Sequence, residues 1–391
     1  MNYWRGTIRM EIIHYNDSYF EELVRFLKNN WAENHPIYDK MLFDWQYRID
    51  HDHDSNCQLL VKDGKIIGFL GNIPGDFSIA GERLKGVGLT MWIIDKAYRD
   101  SGLGVRLLMQ TERESSVTYT LGCGPQVVPL YKRMGYTYIE ALNRYVMPLD
   151  RMGYSMLLQE NRGDIGIEIA EWVKQTHKEH IGVEMPTYIS AGELECLYTR
   201  TIQQKFVFSQ YRDCSFWDWR YTNSSGYKYH YFGDPKVNGV IVVRIDRTYA
   251  PEDKLLHGLA VLRIIEILPA NSDVWDGAIN NNILELLQGV LQWAKMNGCV
   301  AADFQISNNR LEHLLMRVGF RKQNIDYTPY SCGLAGLFQP FRPKVNRINF
   351  TWKITDKEIR TEMLPNETYF VKSDCDMDRP NVWPLPEGWN T

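Results

Sequence analysis

Two short patterns occur twice in the chain, in the same order and at nearly the same spacing. The run FDWQY at 43–47 is echoed by WDWRY at 217–221, and RMGY at 133–136 is echoed by RVGF at 317–320. The echoes follow their originals by 174 and 184 positions. Because self-similarity at a fixed period is typical of a repeated structural unit, the sequence predicts two copies of one fold.

The order of strand and helix patterns is the same in the two halves. A hairpin around an Asp-Gly or Asn-Gly turn precedes a strand, and helices then alternate with strands. In the first half these elements are a helix at 17–30, strands on either side of Asp63-Gly64, a strand at 87–94, a helix at 102–115, a strand at 117–121 and a helix at 125–134. In the second half they are a hairpin at Asn238-Gly239, a strand at 255–268, a helix marked by Ile283 and Leu287, a strand at 300–306 and a helix at 308–318. This order predicts an α/β fold (α+β, mixed sheet) in two tandem domains.

Composition and spacing suggest where the domains end. We predict a first domain at 1–150, a glycine-containing linker at 151–165, a second domain at 166–372 and a Pro-rich, irregular tail at 373–391. The tail's Asp374, Asp376 and Asp378 are interpreted as a solvated acidic face.

The 391 residues carry 44 Lys plus Arg against 48 Asp plus Glu, a net charge of −4. Proteins that coat nucleic acid need a basic excess, so this balance argues against a nucleic-acid partner. Seven cysteines without paired spacing indicate reduced thiols. With neither a signal-peptide core nor an apolar run of about 20 residues, we expect a cytoplasmic protein without a membrane span.

The segment from 92 to 108 carries the clearest chemical signal. A predicted strand enters a short loop containing Gly102 and Gly104, and the loop opens an amphipathic helix. Glycines let backbone amides approach an anion closely, and the helix N-terminus adds partial positive charge. The segment lacks the Gly-Lys-Ser/Thr of a phosphate-binding P-loop and the glycine spacing of the dinucleotide fingerprint. It is predicted to cradle a pyrophosphate, although an ordinary strand-to-helix turn would share the pattern.

Two motifs together resemble the GNAT acyltransferase superfamily. Arg99-Asp100-Ser101-Gly102-Leu103-Gly104 fits the family signature R/Q-x-x-G-x-G/A, and the run LYKRMGY at 130–136 fits the later Tyr-x-Lys/Arg-x-Gly-Phe/Tyr motif. The resemblance covers about 10–150 well and about 200–330 as a degenerate copy.

The resemblance implies acetyl-CoA or another acyl-CoA as co-substrate. Backbone amides of the glycine loop would hold the pyrophosphate, the strand edge at 92–94 would pair with the pantetheine arm, and Tyr131 would protonate the departing thiolate. A buried core tyrosine is the alternative reading of Tyr131. The residues assigned to the cofactor are Trp92, Ile93, Ile94, Arg99, Asp100, Ser101, Gly102, Leu103, Gly104 and Val105.

The sequence departs from the family at two positions. An Asn that often precedes the tyrosine by seven residues is Gly124 here, and the glutamate that acts as base in some members falls near Gly88. Asp76, Glu82 and Asp95 are nearby carboxylates, and the base is unassigned. The run HDHD at 51–54 is interpreted as a polar loop, and no metal site is predicted.

The loop counterpart in the second half, 273–278, lacks the R-x-x-G-x-G spacing. We therefore expect acyl-CoA to bind the first domain, while the second binds the acceptor and closes the cleft.

The overall expectation is a tandem-GNAT N-acyltransferase. The layout resembles bacterial enzymes of surface-polysaccharide synthesis, which implies an amino sugar acceptor, free or nucleotide-linked. An acetyltransferase for other small amines or antibiotics, a Fem-type aminoacyl-transferase and a non-catalytic acyl-CoA-binding protein are the alternatives. Acyl length and oligomeric state, including a homodimer, are left open.

Overall fold

The computed structural model describes residues 10–49, 55–157, 170–174, 182–226, 228–322, 348–356, 363–379 and 382–389. The polar run at 51–54 lies outside these ranges. Contacts divide the chain into two compact units. The first comprises Met1–Phe77, Leu84–Thr137 and Thr351–Thr361, and the second comprises Ser78–Arg83, Tyr138–Phe350 and Glu362–Thr391.

The first unit is built on a mixed sheet with helices between its strands. In chain order its elements are β1 (Met10–His14), α1 (Phe20–Asn30), α2 (Lys40–Tyr47), β2 (Gln58–Lys62), β3 (Lys65–Ile79), β4 (Glu82–Ile94), α3 (Leu103–Glu114), β5 (Val117–Leu121), α4 (Val128–Arg133) and β6 (Thr137–Ile139).

Local sequence accounts for most of these elements. Helix α1 buries Leu23, Phe26 and Leu27 on one face, the spacing that its apolar pattern predicted. The predicted hairpin turn is confirmed, since Asp63 and Gly64 have φ values of 48° and 79°, as a two-residue type I′ turn requires.

One strand of the first sheet comes from late in the chain. The strand order is β1-β2-β3-β4-β5-β14-β6, where β14 is Phe350–Ile354. The side chain of Lys353 pairs with Glu112 at 2.8 Å, although the two residues are 241 positions apart. The run at 143–148, included in the predicted first domain, instead forms a strand of the second sheet.

The second unit contains a separate six-stranded sheet. Its remaining elements are β7 (Asn143–Pro148), α5 (Arg151–Leu157), α6 (Ala191–Tyr198), β8 (Phe208–Gln210), α7 (Cys214–Trp217), β9 (His230–Asp234), β10 (Gly239–Arg247), β11 (Ala260–Pro269), α8 (Asn281–Met296), β12 (Cys299–Ile306), α9 (Glu312–Val318), β13 (Arg321–Lys322) and β15 (Thr368–Tyr369). The sheet order is β13-β7-β12-β11-β10-β9.

The two sheets share a local arrangement. In each, two parallel strands are joined through a helix: β4 pairs with β5 through α3, and β11 pairs with β12 through α8. The predicted α/β class, with two sheets of mixed strand direction, is therefore confirmed.

Part of the predicted linker is packed rather than extended. Residues 151–157 form α5, and a Cβ at Gly153 would lie 2.1 Å from Cγ1 of Val300. Here glycine permits a close approach between a helix and a strand, a role that a count of glycines does not distinguish from a linker.

The prediction of a solvated acidic tail is wrong. Asp374 and Asp378 are 2% and 1% exposed. They pair with buried arginines, Asp374 with Arg212 at 2.7 Å and Asp378 with Arg244 at 2.6 Å. A buried carboxylate needs a partner of opposite charge, and the arginines that supply it lie far away in the sequence.

A row of buried charges also crosses the second sheet. Asp303 on β12 contacts Arg144 on β7 at 2.8 Å and Arg263 on β11 at 2.5 Å. Arg263 lies directly opposite Asp303 in the parallel register.

Within the described ranges, the helices are too short or too polar to cross a bilayer.

Candidate active site

The edge of β4 is distorted where the site begins. The parallel register between β4 and β5 places Gly86 to Gly88 opposite Val117 to Tyr119, whereas β4 itself continues to Ile94. Met91 has a φ of 41°, which a residue with a side chain rarely adopts within a strand. Such a kink redirects the strand, and the last residues of β4 line a cavity.

The loop after β4 is a short 3-10 helix, Lys96–Ser101. Asp95 begins it by accepting a hydrogen bond from the Ala97 amide at 2.8 Å. Gly102 ends it with a φ of 77°, in the left-handed region that favours glycine, and is the N-cap of α3.

The side chain of Arg99 ties this loop to its surroundings. Its Nη2 donates to the carbonyl of Asn30 at 2.9 Å, and its Nε donates to the carbonyl of Ile94 at 3.3 Å. These bonds connect the ends of α1 and β4 to the loop. The guanidinium group therefore holds the loop's backbone in place.

Gly104 lets the first turn of α3 approach β4. The indole Nε1 of Trp92 donates to the Gly104 carbonyl at 3.1 Å. A Cβ at residue 104 would lie 3.2 Å from that nitrogen and 3.3 Å from Cγ1 of Ile94. Because Gly102 brings no side chain to cap α3, the first-turn amides are available to an anion.

A cavity of about 390 Å³ lies against these elements. Arg99 is the charged group among its lining residues, and Asn30 and Gln126 are the polar ones. The full lining is Asn30, Trp31, Trp92, Ile93, Ile94, Arg99, Gly102, Gly104, Val105, Gln126, Val127 and Leu130.

The structure brings together seven of the predicted cofactor residues: Trp92, Ile93, Ile94, Arg99, Gly102, Gly104 and Val105. Asp100, Ser101 and Leu103 lie outside the lining. The Ser101 hydroxyl donates to the Tyr98 carbonyl, and Leu103 is buried in the core.

Tyr131 does not line the cavity. It is 3% exposed, and its ring centroid lies 5.6 Å from that of Trp92 and 4.8 Å from that of Tyr136. Trp92, which lines the cavity, is therefore packed against the tyrosine that the motif singled out. The carboxylates Asp76, Glu82 and Asp95 are outside the lining as well.

Sequence reasoning missed five lining residues, Asn30, Trp31, Gln126, Val127 and Leu130. Gln126 to Leu130 lie just before Tyr131, so their position next to the motif was a usable signal. Asn30 and Trp31 end α1, which Arg99 joins to the loop through the Asn30 carbonyl, a contact that no local pattern reveals.

In the part of the chain that the structure describes, His, Cys, Asp and Glu side chains do not converge in groups of three that could hold a metal ion.

Residues 11–139 match the sequence profile of the family described as "Acetyltransferase (GNAT) domain". No curated protein matches the sequence.

Solved structures with a similar fold include acyltransferases. A GCN5-related N-acetyltransferase from Anabaena variabilis ATCC 29413 is 14% identical, with a TM-score of 0.53 over 89% of this chain and 73% of that chain. A conserved protein of unknown function from Enterococcus faecalis V583, a probable N-acyltransferase, is 10% identical, with a TM-score of 0.55 over 89% and 73%.

The third is N-myristoyltransferase from Saccharomyces cerevisiae with bound myristoyl-CoA. It is 12% identical, with a TM-score of 0.52 over 88% of this chain and 79% of that chain. At these identities the likeness concerns the fold. The profile match itself spans residues 11–139.

Proposed function

We propose that the first unit binds an acyl-CoA in the cavity beside β4 and transfers its acyl group to a primary amine. The observation that carries the proposal is the combination of a kinked strand edge, a glycine loop and an uncapped helix N-terminus around one cavity. Gly104 has no Cβ at the point where the helix backbone and Trp92 meet, which suits a site built for close approach to phosphate oxygens.

Each part of the site has a role in this proposal. Amides at the start of α3 hold the pyrophosphate, with Arg99 keeping their loop in position. The backbone of Trp92, Ile93 and Ile94 pairs with the pantetheine arm as an added strand would. An acyl-CoA supplies a thioester that an amine can attack directly.

Holding the amine against the thioester supplies most of the acceleration. Proton transfer completes the reaction: a base takes a proton from the attacking amine. Tyr131 donates a proton to the departing thiolate in our proposal.

The second unit is proposed to be a degenerate copy of the same fold that binds the acceptor. Its strand order, its parallel pair joined through α8 and a loop ending at Gly277 with a φ of 92° parallel the first unit. The domain limits given above, with a break near 150, stay predictions, and the contact division falls between Thr137 and Tyr138.

The acceptor we favour is an amino sugar, free or nucleotide-linked, from surface-polysaccharide synthesis. A panel of amino sugars, other small amines and aminoglycosides with acetyl-CoA, read as free thiol release, separates this from a general amine acetyltransferase. Turnover with aminoacyl-tRNA would instead indicate a Fem-type enzyme. Binding of acyl-CoA without turnover across the panel would indicate a non-catalytic protein.

The first experiment compares thermal stability with and without acetyl-CoA in the wild type, Gly104→Glu and Gly192→Glu. A ligand at 100 times its Kd stabilises the native state by about 2.7 kcal/mol. A glutamate at 104 lies in the first turn of α3, where it suits the helix dipole but repels a phosphate. Gly192, in the first turn of α6, has open space around its Cβ position and is the matched control.

We expect a shift in the wild type and in Gly192→Glu, and none in Gly104→Glu. A thermal shift of equal size in all three proteins would show that the glycine loop does not bind acetyl-CoA. Repeating the titration with myristoyl-CoA and intermediate chain lengths tests the acyl preference.

A further inference from the structure

The second unit has a loop like the one that lines the cavity in the first. Between β11 and α8 lies a short 3-10 helix, Ser272–Asp276, ending at Gly277. Asn271 caps it by accepting from the Asp273 amide at 2.9 Å, as Asp95 caps the first loop. Beside this second loop the space is filled by aromatic rings.

Trp275 of that loop is the centre of the filling. Its ring centroid lies 5.0 Å from that of Phe206 and 5.6 Å from that of Tyr369. The three side chains are buried, at 2%, 3% and 0% exposure respectively. Phe206 follows the helical segment that begins with α6, much as Trp31 follows α1 at the cavity of the first unit.

Tyr369 belongs to a segment that we name the plug segment, Thr368–Asp378. Its first two residues pair in parallel with β8, opposite Phe208 and Ser209. Val371 then forms an antiparallel bridge with Ile306, the last residue of β12. The amide of Ser307 donates to the Phe370 carbonyl at 2.8 Å, so the plug segment is hydrogen-bonded to the end of β12.

Side chains attach the plug segment to β11 as well. The Tyr369 hydroxyl donates to Glu266 on β11 at 2.5 Å. Arg212 bridges Glu266 at 3.1 Å and Asp374 at 2.7 Å. The plug segment therefore contacts both strands of the parallel pair β11 and β12, next to the loop that joins β11 to α8.

We infer that the plug segment occupies, in the second unit, the place that corresponds to the acyl-CoA cavity of the first, so that the chain holds one acyl-CoA. The inference rests on the proposed function of the first unit. Displacing the segment would uncover Tyr369, Phe370 and Val371, and would leave Arg212 without one of its carboxylates in a buried environment. The pantetheine arm of a second acyl-CoA would have to displace these contacts to enter the second unit, so the plug segment excludes it.

Binding stoichiometry tests the inference on the full chain. Calorimetric titration with acetyl-CoA is expected to give one site in the wild type and none in Gly104→Glu. Two sites in the wild type, or one remaining site in Gly104→Glu, would overturn the inference. A wild type that binds no acetyl-CoA contradicts the proposed function, and amide exchange of the plug segment then decides the inference alone.

Amide hydrogen exchange reports the plug segment without any ligand. The amides of Ser307 and Val371, which donate to Phe370 and Asp374, are expected to exchange as slowly as those of β11. Exchange of both at the rate of exposed turns in the wild type would show that the segment leaves its place, and would refute the inference.

Asp374→Asn should accelerate exchange at these two amides by more than tenfold. Asp376→Asn is the matched control, because the Asp376 side chain pairs with Arg379 within its own turn at 2.8 Å. Equal protection in both variants would contradict the anchoring that we assign to Asp374.

Discussion

The indole of Trp92 links three elements of the candidate site. Its nitrogen bonds the first turn of α3, its ring packs on Tyr131 of α4, and its own backbone belongs to β4, two residues before the strand ends. A ligand lying along β4 would therefore contact the same side chain that packs against Tyr131.

The proposed proton donor predicts a specific result for Tyr131→Phe. The ring and its packing are retained, so the affinity for acetyl-CoA should be unchanged. Turnover should fall about 10²–10⁴-fold, the usual contribution of a positioned acid. Both quantities are measured by calorimetry and thiol release with an amine that the wild type acetylates.

Tyr136→Phe is the control for that variant. Tyr136 is also buried, and its hydroxyl bonds Thr118 at 2.8 Å. Losing this bond should cost about 1 kcal/mol of stability and leave turnover intact. Equal turnover in the two variants would show that Tyr131 is a core tyrosine and not the proton donor.

At the scale of single elements, two hairpins of the first sheet use the same turn with different chemistry. Asp63-Gly64 and Ala80-Gly81 have positive φ at both positions, with 49° at Ala80. Type I′ turns favour Asn or Asp at the first of these positions, and alanine is strained there by about 1–2 kcal/mol. The turn between β3 and β4 is therefore open to improvement.

Ala80→Asn is expected to raise the free energy of unfolding by about 1 kcal/mol. The bond from the residue 80 amide to the Val207 carbonyl, 2.7 Å long, does not depend on the side chain. Urea denaturation measures the change, and Ala80→Val should shift it the opposite way. A loss of stability in the Asn variant would show that the turn's surroundings, and not its backbone, limit it.

The buried charges across the second sheet predict a strong effect of Asp303→Asn. The substitution removes the negative charge that the buried guanidinium groups of Arg144 and Arg263 both contact. The free energy of unfolding should fall by about 3–5 kcal/mol. Asp276, which pairs with Lys205 at the surface, is the control, and its asparagine variant should change stability far less. Similar losses in both variants would contradict the importance of burial.

The same carboxylate gives the stability a defined acid dependence. Burial alone would raise the pKa of Asp303, but Arg263 and Arg144 outweigh it and lower the pKa from 3.8 to about 2. Because the pKa is lower in the folded state, the stabilisation is complete above the ordinary value and is lost as the pH falls from about 4 to about 2. The free energy of unfolding, measured by denaturation at each pH in that range, should therefore change less with pH in Asp303→Asn than in the wild type.

For the molecule as a whole, local patterns predicted what depends on neighbours in sequence. The glycine loop, the Asp63-Gly64 turn and the helix around Ile283 and Leu287 follow from periodicity and backbone preference over a few residues. So does much of the cavity, because Trp92 to Val105 is one continuous stretch.

The features that the sequence analysis missed or predicted wrongly all involve partners far apart in the chain. The burial of Asp378 needs Arg244, and the end of α1 is joined to the loop by the bond from Arg99 to the Asn30 carbonyl. The sequence alone does not show whether a charged or aromatic residue has a partner elsewhere in the fold. Long-range pairing was therefore beyond what pattern and spacing could supply.

The late strand β14 predicts that a chain shortened to residues 1–150 will not fold stably. It would retain the cavity residues but lose β14, leaving the edge of β5 uncovered and prone to pairing with other chains. Such a protein should aggregate or show a broad thermal transition, as judged by light scattering and calorimetry. A soluble, cooperatively folding fragment that binds acetyl-CoA would contradict this expectation.

The position of β14 also bears on how the protein is made. A ribosome completes the loop, α3 and β5 long before it reaches Phe350. The edge of β5 in the first sheet therefore stays unpaired while the intervening chain is synthesised. Domains usually fold as units, the N-terminal one first, and pairings between distant residues are slow to form. The cavity of the first unit should therefore acquire ligand binding only after Phe350–Ile354 and most of the second unit have emerged.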